Sequence, residues 1–246
     1  SCVQMDQSEN GRAYKSRPYI RLTVNRSLQD AGKNAILNGG RVRFISPSFS
    51  GGSIPMTQDF FLPFQAHLSA IGGESYLVAD LMQATEVMAA HPALAEKDVI
   101  VPPNFAELAA WGAIVPMLRD QGIRIREAGS PASVADAPVG LSSAALAVAE
   151  TGSVLLAENA LEARVVSMLT LTHFVLVRAS DFVPMLDEVG AYLAKFSKAG
   201  PEQRHYVSLV TGPSRTSDIE RSLTIGVQGP KALCVLVVQD MEEKEK

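Results

Sequence analysis

The stretch VTGPSRTSDIERSLTIGVQGP, from Val210 to Pro230, holds the densest group of ligand-binding residue types in this chain. An apolar run lies on either side of it, so we predict a turn that joins a strand to a helix start. In open α/β sheets, ligands bind where a parallel strand ends and a helix begins, and free backbone N–H groups there favour anions. Arg215 adds a forked set of donors that suits a carboxylate or a phosphate. The stretch therefore predicts a small-anion site beside Ser214, Arg215 and Thr216.

A purely structural interpretation of the same stretch is equally open. Ser217 followed by Glu220 matches a capping box, and Asp218 in the first turn suits the positive end of a helix dipole. These features predict a short helix over about residues 217–225. The stretch contains neither a Walker loop nor a GxGxxG pattern, so the anion site rests on Arg215 and the turn alone.

A second candidate is Glu150, within SSAALAVAETGSVLLA at residues 142–157. The alanine-rich segment 143–150 predicts a buried helix that ends at Thr151-Gly152. A carboxylate in the last turn of a helix meets the negative end of the helix dipole, and burial there raises its pKa unless a cation compensates. Glu150 is therefore a candidate catalytic residue. The alternative is a carboxylate that reaches solvent or pairs with Arg164.

Polar residues also flank the next predicted strand. Arg164 and Ser167, in EARVVSMLT, are the nearest polar partners of Glu150 along the chain, and His173 opens the strand THFVLV. A lone histidine beside an apolar strand is more often a hydrogen-bonded core residue than a base. No Ser-His-Asp order and no GxSxG elbow can be assembled from these residues.

These residues must be positioned by an α/β fold. From Thr57 onward, apolar strands alternate with helical patterns, which predicts a layered α/β domain with an open, largely parallel sheet. The predicted strands cover residues 75–79, 98–102, 123–128 (at an exposed edge), 153–157, 173–179, 206–210 and 232–238. The predicted helices cover 57–71, 80–91, 104–122 with a kink at Pro116, 143–150, 181–196 and about 217–225.

The composition excludes several classes of protein. Two cysteines, Cys2 and Cys234, supply no disulfide framework and no iron–sulfur ligand set. The four histidines show no HExxH or HxxxH spacing, so we expect no metal site and no cofactor bound by this chain. No apolar run is long enough for a membrane span and no secretory signal is visible, so we expect a cytoplasmic protein.

The charge is distributed unevenly and indicates the domain organisation. Residues 1–55 hold 8 Lys and Arg against 3 Asp and Glu, whereas the rest of the chain is acidic. An acidic body is a poor binder of nucleic acid. We predict a basic, weakly patterned N-terminal extension over 1–55, with Met56 as a plausible natural start. A single α/β domain would then cover 56–240, followed by a charged tail over 241–246.

Three motifs in this order resemble the lactate utilization protein C family, also called LutC/YkgG or the LUD domain. They are AETG at 149–152, R-x-x-S at 164–167 and TGPSRTSDIE at 211–220. The resemblance is strong over 138–239, and residues 57–128 fit only in outline. It implies a Rossmann-like fold of the type shared by glucosamine-phosphate deaminase (NagB), ribose-phosphate isomerase (RpiA) and CoA transferases. It also implies a cluster-free component of L-lactate oxidation to pyruvate, alongside iron–sulfur partner proteins.

The resemblance also assigns candidate site residues. The matching positions are Glu150, Thr151, Gly152, Arg164, Ser167, His173, Thr211, Gly212, Ser214, Arg215, Thr216, Asp218 and Glu220. Gly229 and Pro230 match as well. The chain departs from the family pattern at Thr170, where proline is common, and at Gln228, where histidine is usual.

Two alternatives to the lactate-utilization role remain open from the sequence. One is an independent CoA-transferase-like or acyl-transfer enzyme with Glu150 as nucleophile. The other is a non-catalytic scaffold subunit. Because one fold hosts many activities, likeness of fold alone does not choose among these three.

Overall fold

The protein is described here from a computed structural model that covers residues 34–38, 41–45, 57–217 and 223–239. The strands in these ranges are β1 (Asn34–Asn38), β2 (Arg41–Ile45), β3 (Glu74–Val78), β4 (Asp98–Val101), β5 (Arg124–Glu127), β6 (Val139–Ser143), β7 (Leu146–Val148), β8 (Ser153–Glu158), β9 (Thr172–Arg178), β10 (Phe182–Val183), β11 (Tyr206–Val210), β12 (Arg215–Thr216), β13 (Thr224–Ile225) and β14 (Ala232–Val238). The helices are α1 (Thr57–Ala70), α2 (Leu81–Ala90), α3 (Ile114–Asp120), α4 (Pro131–Val134), α5 (Leu161–Leu169) and α6 (Val189–Ser197).

The central layer is a six-stranded sheet in the order β3-β14-β9-β6-β4-β5. Every neighbouring pair in it is parallel. Its central strands are buried along most of their length because helices or a second sheet cover both faces. The fold is thus the Rossmann-like open α/β sheet expected from the sequence, and β5 is the predicted exposed edge strand.

A second sheet of four strands packs on one face of the first. Its order is β10-β7-β8-β11, and β8 pairs antiparallel with both β7 and β11. Alternate residues of β9 show the layering. Phe174 and Leu176 join the core under α2 and α3, whereas Val175 and Val177 pack with α1 and the second sheet. The helix α6 packs on the outer face of this second sheet through Val189.

Several predicted helices begin and end as expected. The helix α1 buries Phe61, Phe64 and Leu68, as the pattern predicted. The Asp80 side chain accepts a hydrogen bond from the Gln83 N–H at 2.8 Å and caps α2.

Pro116 lies in the first turn of α3, so the predicted helix over 104–122 is divided into a 3-10 turn and α3.

The predicted helix over 143–150 is wrong, because that segment forms the end of β6 and all of β7. Its alanines are small residues buried between layers, and the strand pairings with β9 and β8 outweigh their helix propensity. Similarly, the predicted helix over 181–196 begins only at Val189, after a 3-10 turn at Leu186–Glu188.

The predicted helix over about 217–225 is wrong at its end and lies partly outside the described residues. Thr224 and Ile225 form β13, which pairs antiparallel with Arg215 and Thr216 in β12. The residues 218–222, which include Asp218 and Glu220, are not among the described ones. The strand β11 before this stretch is antiparallel to β8, so the expected parallel strand before the anion loop is also wrong.

In the N-terminal 55 residues, β1 and β2 pair antiparallel with each other. Among the described strands they pair only with each other. The proposal that this segment adds little to the core stays a prediction. No helix in the described part of the chain is long and apolar enough to cross a bilayer.

Candidate functional site

The residues predicted for the anion loop surround the C-terminal end of α1. That helix ends in a Schellman motif, in which Gly73 N–H donates to Leu68 O and Gly72 N–H donates to Ser69 O, both at 3.0 Å. Gly72 adopts a φ of +83°, which a glycine tolerates at this position without strain. The Arg215 guanidinium donates to the Ile71 carbonyl oxygen. Arg215 therefore caps the negative end of the helix dipole, a structural role for the cation that was predicted to bind an anion.

The AETG and TGPS motifs also pack against this end of α1. Gly152 has a φ of +67°, and a Cβ there would lie 2.5 Å from the backbone nitrogen of Leu68. Gly212 has a φ of +83°, and a Cβ there would lie 2.9 Å from Ile71 Cδ1. Both positions require glycine because the helix backbone or its last side chain occupies the space that a side chain would need.

Three hydroxyl groups link the two motifs. Thr151 Oγ1 lies 2.7 Å from Ser153 Oγ, and Ser153 Oγ lies 2.6 Å from Thr211 Oγ1. Ser153 is fully buried and was not predicted as a site residue. The sequence did contain a signal for this residue: Ser153 stands at the start of an apolar strand, and a serine buried there needs a polar partner.

Ser214 is held by the segment that follows β13. Its hydroxyl donates to Gln228 O at 2.9 Å, and its N–H donates to Pro230 O at 2.9 Å. Gly229 approaches it closely, since a Cβ there would lie 3.0 Å from Ser214 Cβ. Gln228 contributes its backbone carbonyl to this contact, so the change from the usual histidine leaves the contact intact.

Glu150 lies in the turn between β7 and β8 and is exposed. Its carboxylate accepts a hydrogen bond from Leu186 N–H at 2.9 Å, where the 3-10 turn Leu186–Glu188 begins. Glu150 was expected either as a buried carboxylate or as one that reaches solvent or pairs with Arg164. The geometry matches a carboxylate that reaches solvent.

The remaining predicted residues lie away from the end of α1. His173 is fully buried in β9, with Nε2 at 2.7 Å from Ser142 Oγ, and burial lowers the pKa of His173 to about 3. It is a neutral core residue at physiological pH. Ser167 Oγ donates to the Arg164 carbonyl within α5 at 2.8 Å, and Thr170 Oγ1 likewise donates to Val166 O at 2.9 Å.

Arg164 lies close enough to Glu158 for its positive charge to lower the pKa of that carboxyl group. Its Nη2 donates to Asn159 O at 2.9 Å, and its guanidinium carbon lies 5.0 Å from the centroid of the Tyr206 ring. The Nε group is buried and has no partner among the described residues.

A crevice that the sequence did not predict lies where the connections of the parallel sheet reverse direction. The strands β4 and β6 are neighbours, but the chain leaves β4 towards β5 at one edge and leaves β6 towards β9 on the other side. Open α/β proteins bind ligands outside the carboxyl ends of strands at such a reversal. A cavity of about 460 Å³ opens there, beside Pro102 after β4 and Ser143 at the end of β6. We call this cavity the switch-point crevice.

One wall of the switch-point crevice is polar and contains Glu158, Asn159 and Arg204. The antiparallel pairing of β8 with β11 sets Tyr206 opposite Glu158 and so brings these distant segments together. The Asn159 side chain fixes the loop that carries Arg204. It donates a hydrogen bond to Gln203 O at 3.0 Å and accepts one from His205 N–H at 2.9 Å.

The Arg204 side chain is anchored by one of its two terminal nitrogens. Nη1 donates to Pro201 O at 3.2 Å and to Gln203 O at 3.0 Å. The guanidinium carbon also lies 6.0 Å from the centroid of the Phe196 ring. Among the described residues, none accepts a hydrogen bond from Nε or Nη2 of Arg204, so that edge of the fork is free.

The Glu158 carboxylate is half-buried in the same wall. Burial raises its pKa, and the positive charges of Arg204 and Arg164 oppose that rise. No described residue donates a hydrogen bond to it. Sequence signals for this wall existed, since Glu158 and Asn159 stand where an apolar strand ends and a helix follows. Arg204, however, is distant in the sequence and carries no such signal.

The opposite wall of the switch-point crevice is apolar. It consists of Pro102, Pro103, Phe105 and Leu108, which follow β4. Among the described residues, no group of three or more His, Cys, Asp or Glu side chains is placed to hold a metal ion. The geometry therefore offers a free arginine fork and a carboxylate on one side, and a hydrocarbon surface on the other.

Comparison with known proteins identifies the family to which this chain belongs. The family model of the LUD domain matches residues 64–238. The chain therefore belongs to the LUD domain family, which confirms the resemblance carried by its motifs. A crystal structure of a DUF162 family protein from Deinococcus radiodurans shares the fold, with a TM-score of 0.53 and 22% identity over 74% of this chain and 98% of that one.

Curated relatives carry a more particular name. Lactate utilization protein C of Bacillus licheniformis is 28% identical over 171 residues, which cover 63% of this chain and 71% of that protein. Lactate utilization protein C 1 of Bacillus mycoides is 35% identical over 104 residues, which cover 42% of this chain and 44% of the relative. The match thus spans less than half the length of the second relative.

Proposed function

We propose that this chain serves lactate utilization and binds a small carboxylic acid of that process in the switch-point crevice. The observation that carries the proposal is the free Nε and Nη2 edge of Arg204, held at the carboxyl ends of β4 and β6. A guanidinium edge of this kind binds a carboxylate through two parallel hydrogen bonds. The names of the relatives supply the process, and L-lactate and pyruvate are its carboxylic acids.

Glu158 supports the same ligand. With the acid's carboxylate on Arg204, the ionised Glu158 accepts a hydrogen bond from the 2-hydroxyl of lactate. In its protonated form, which burial favours, Glu158 donates to the 2-oxo oxygen of pyruvate instead. Arg164 adds a second positive charge that offsets the repulsion between Glu158 and the bound carboxylate.

A second location for the anion is the loop over residues 211–217 with Glu150, as the motifs predicted. Arg215 is exposed there and has donors beyond the one that caps Ile71. The Ser214 N–H and hydroxyl already donate to backbone carbonyls, so the free donors of this loop are those of Arg215 itself. Glu150 does not line the switch-point crevice. The acyl-transfer alternative would require it to work from its exposed turn.

We also propose that the oxidation itself needs partner proteins with iron–sulfur clusters. Cys234 is buried within β14, an internal strand of the parallel sheet, and the chain has only one other cysteine. A cluster needs several accessible thiolates. Electrons from lactate would therefore pass to a partner, and this chain would bind the acid. Stoichiometric iron or zinc in the untagged protein would contradict this assignment.

Calorimetric titration of L-lactate, pyruvate and phosphate into the protein tests the location of the site. We expect Arg204→Lys, which keeps the charge and loses the fork, to weaken carboxylate binding about tenfold or more. Arg215→Lys and the surface control Arg119→Lys should bind as the wild type does. Bound acid should also raise the melting temperature of the wild type. Loss of binding with Arg215→Lys, and not with Arg204→Lys, would move the site to the 211–217 loop.

A further inference from the structure

The switch-point crevice is much larger than lactate requires. Its volume of about 460 Å³ falls within the roughly 300–1,000 Å³ of pockets that enclose drug-sized ligands. Lactate has a methyl group as its whole apolar part. A ligand held by Arg204 and Glu158 alone would leave the opposite wall of the cavity uncovered.

That opposite wall is apolar and rigidly built. Leu108 lies at its rim with 43% of its surface exposed. Its backbone is fixed on both sides, since Leu108 N–H donates to Phe105 O at 3.2 Å and Gly112 N–H donates to Leu108 O at 2.7 Å. A Cβ at Gly112 would lie 2.1 Å from Ala106 O, so the turn that presents Leu108 is tightly closed.

We infer that the crevice takes 2-hydroxy or 2-oxo carboxylic acids whose apolar side chain is longer than the methyl group of lactate. This inference rests on the proposed function, because it places the acid's carboxylate on Arg204. The side chain then extends across the cavity onto Pro103 and Leu108. Binding strength follows the length of the side chain, because each added methylene leaves water for the apolar wall.

The test is a titration series with acids that differ only in the side chain. L-Lactate, L-2-hydroxybutyrate, L-2-hydroxyisocaproate and L-phenyllactate are titrated into the wild type and three variants by calorimetry. The affinity of the wild type should rise about two- to fourfold for each added methylene. Leu108→Ser should flatten this rise, so that it weakens the binding of the longer acids more than that of lactate. Leu62→Ser, at an exposed leucine on α1 that does not line the crevice, should behave as the wild type does.

The third variant, Arg204→Lys, separates the two proposals. If lactate binds in an Arg204-dependent way and the affinity does not increase along the series, the inference on side-chain length is overturned and the proposed function stands. If no acid binds at all, both are overturned. A rise that persists unchanged in Leu108→Ser overturns the assignment of the apolar wall. The inference is supported only when Arg204→Lys weakens the binding of every acid and Leu108→Ser weakens the binding of the longer acids more than that of lactate.

Discussion

At the scale of single residues, the family motif AETG is explained by contact with α1. Gly152 lies against the backbone of Leu68, and the Nδ1 atom of His67 lies 3.0 Å from Ala149 O. The motif thus fixes the turn between β7 and β8 to the last turn of the helix. A residue recognised by its motif therefore has a packing role here, whereas Glu158 and Arg204, which belong to none of the motifs, line the crevice.

Replacement of Gly152 by alanine tests this packing role. The new Cβ would overlap the helix backbone and force a φ of +67° on a residue that disfavours it. We expect a loss of about 2–4 kcal/mol in the free energy of unfolding. Gly190→Ala is the matched control, since a Cβ there meets nothing within 4 Å and the position is helical. The Gly190→Ala variant should gain about 0.5 kcal/mol in the free energy of unfolding. Equal responses of the two variants to denaturant would contradict the close approach.

At the scale of elements, the edge strand β5 is attached to β4 through one buried carboxylate. Arg126 donates to Asp98 twice, from Nε to Oδ1 at 3.0 Å and from Nη2 to Oδ2 at 2.7 Å. Arg124 donates once, at 2.9 Å, and its side chain is 70% exposed against 37% for Arg126. These bonds lower the pKa of Asp98, with the Arg126 hydrogen bonds as the largest cause.

We expect Arg126→Ala to cost about 1 kcal/mol of stability at neutral pH, and Arg124→Ala less than about 0.5 kcal/mol. A carboxyl group with a lowered folded-state pKa contributes stability that is present above its ordinary pKa and lost as the pH falls through the folded-state value. The difference in the free energy of unfolding between wild type and Arg126→Ala should therefore become smaller below about pH 3.8, the ordinary pKa of an aspartate. Urea unfolding of both proteins at neutral and acid pH measures this difference in stability. If the difference stays constant across that pH range, the ion pair is not its origin.

Elements differed in how far the sequence could predict them. The apolar strands β9 and β14 and the capped helix α2 were predicted because hydrophobic pattern and capping residues are local signals. The segment 143–150 was predicted wrongly, since alanine favours helices and only the tertiary pairing of β6 and β7 makes it extended. The switch-point crevice depends on strand order and on the pairing of β8 with β11, and neither leaves a local trace.

At the scale of the whole molecule, the N-terminal segment lies outside the part of the chain that the family model matches. The family match starts at residue 64, and the described strands β1 and β2 pair only with each other. We therefore expect deletion of residues 1–55, with Met56 as the first residue, to leave thermal unfolding nearly unchanged. Circular dichroism melts of the two lengths of chain measure this. A loss of several kcal/mol would show that the N-terminal segment is part of the core.

The position of β14 has a consequence for the synthesis of the protein. This strand, at residues 232–238, lies between β3 and β9 in the finished sheet. While the ribosome is still translating, β3 has no partner strand and one side of β9 is an open edge. Unpaired edges of apolar strands recruit other chains, and pairings distant in sequence form slowly. Nascent chains halted before residue 232 are thus aggregation-prone, and the sheet closes only after the last strand has left the exit tunnel.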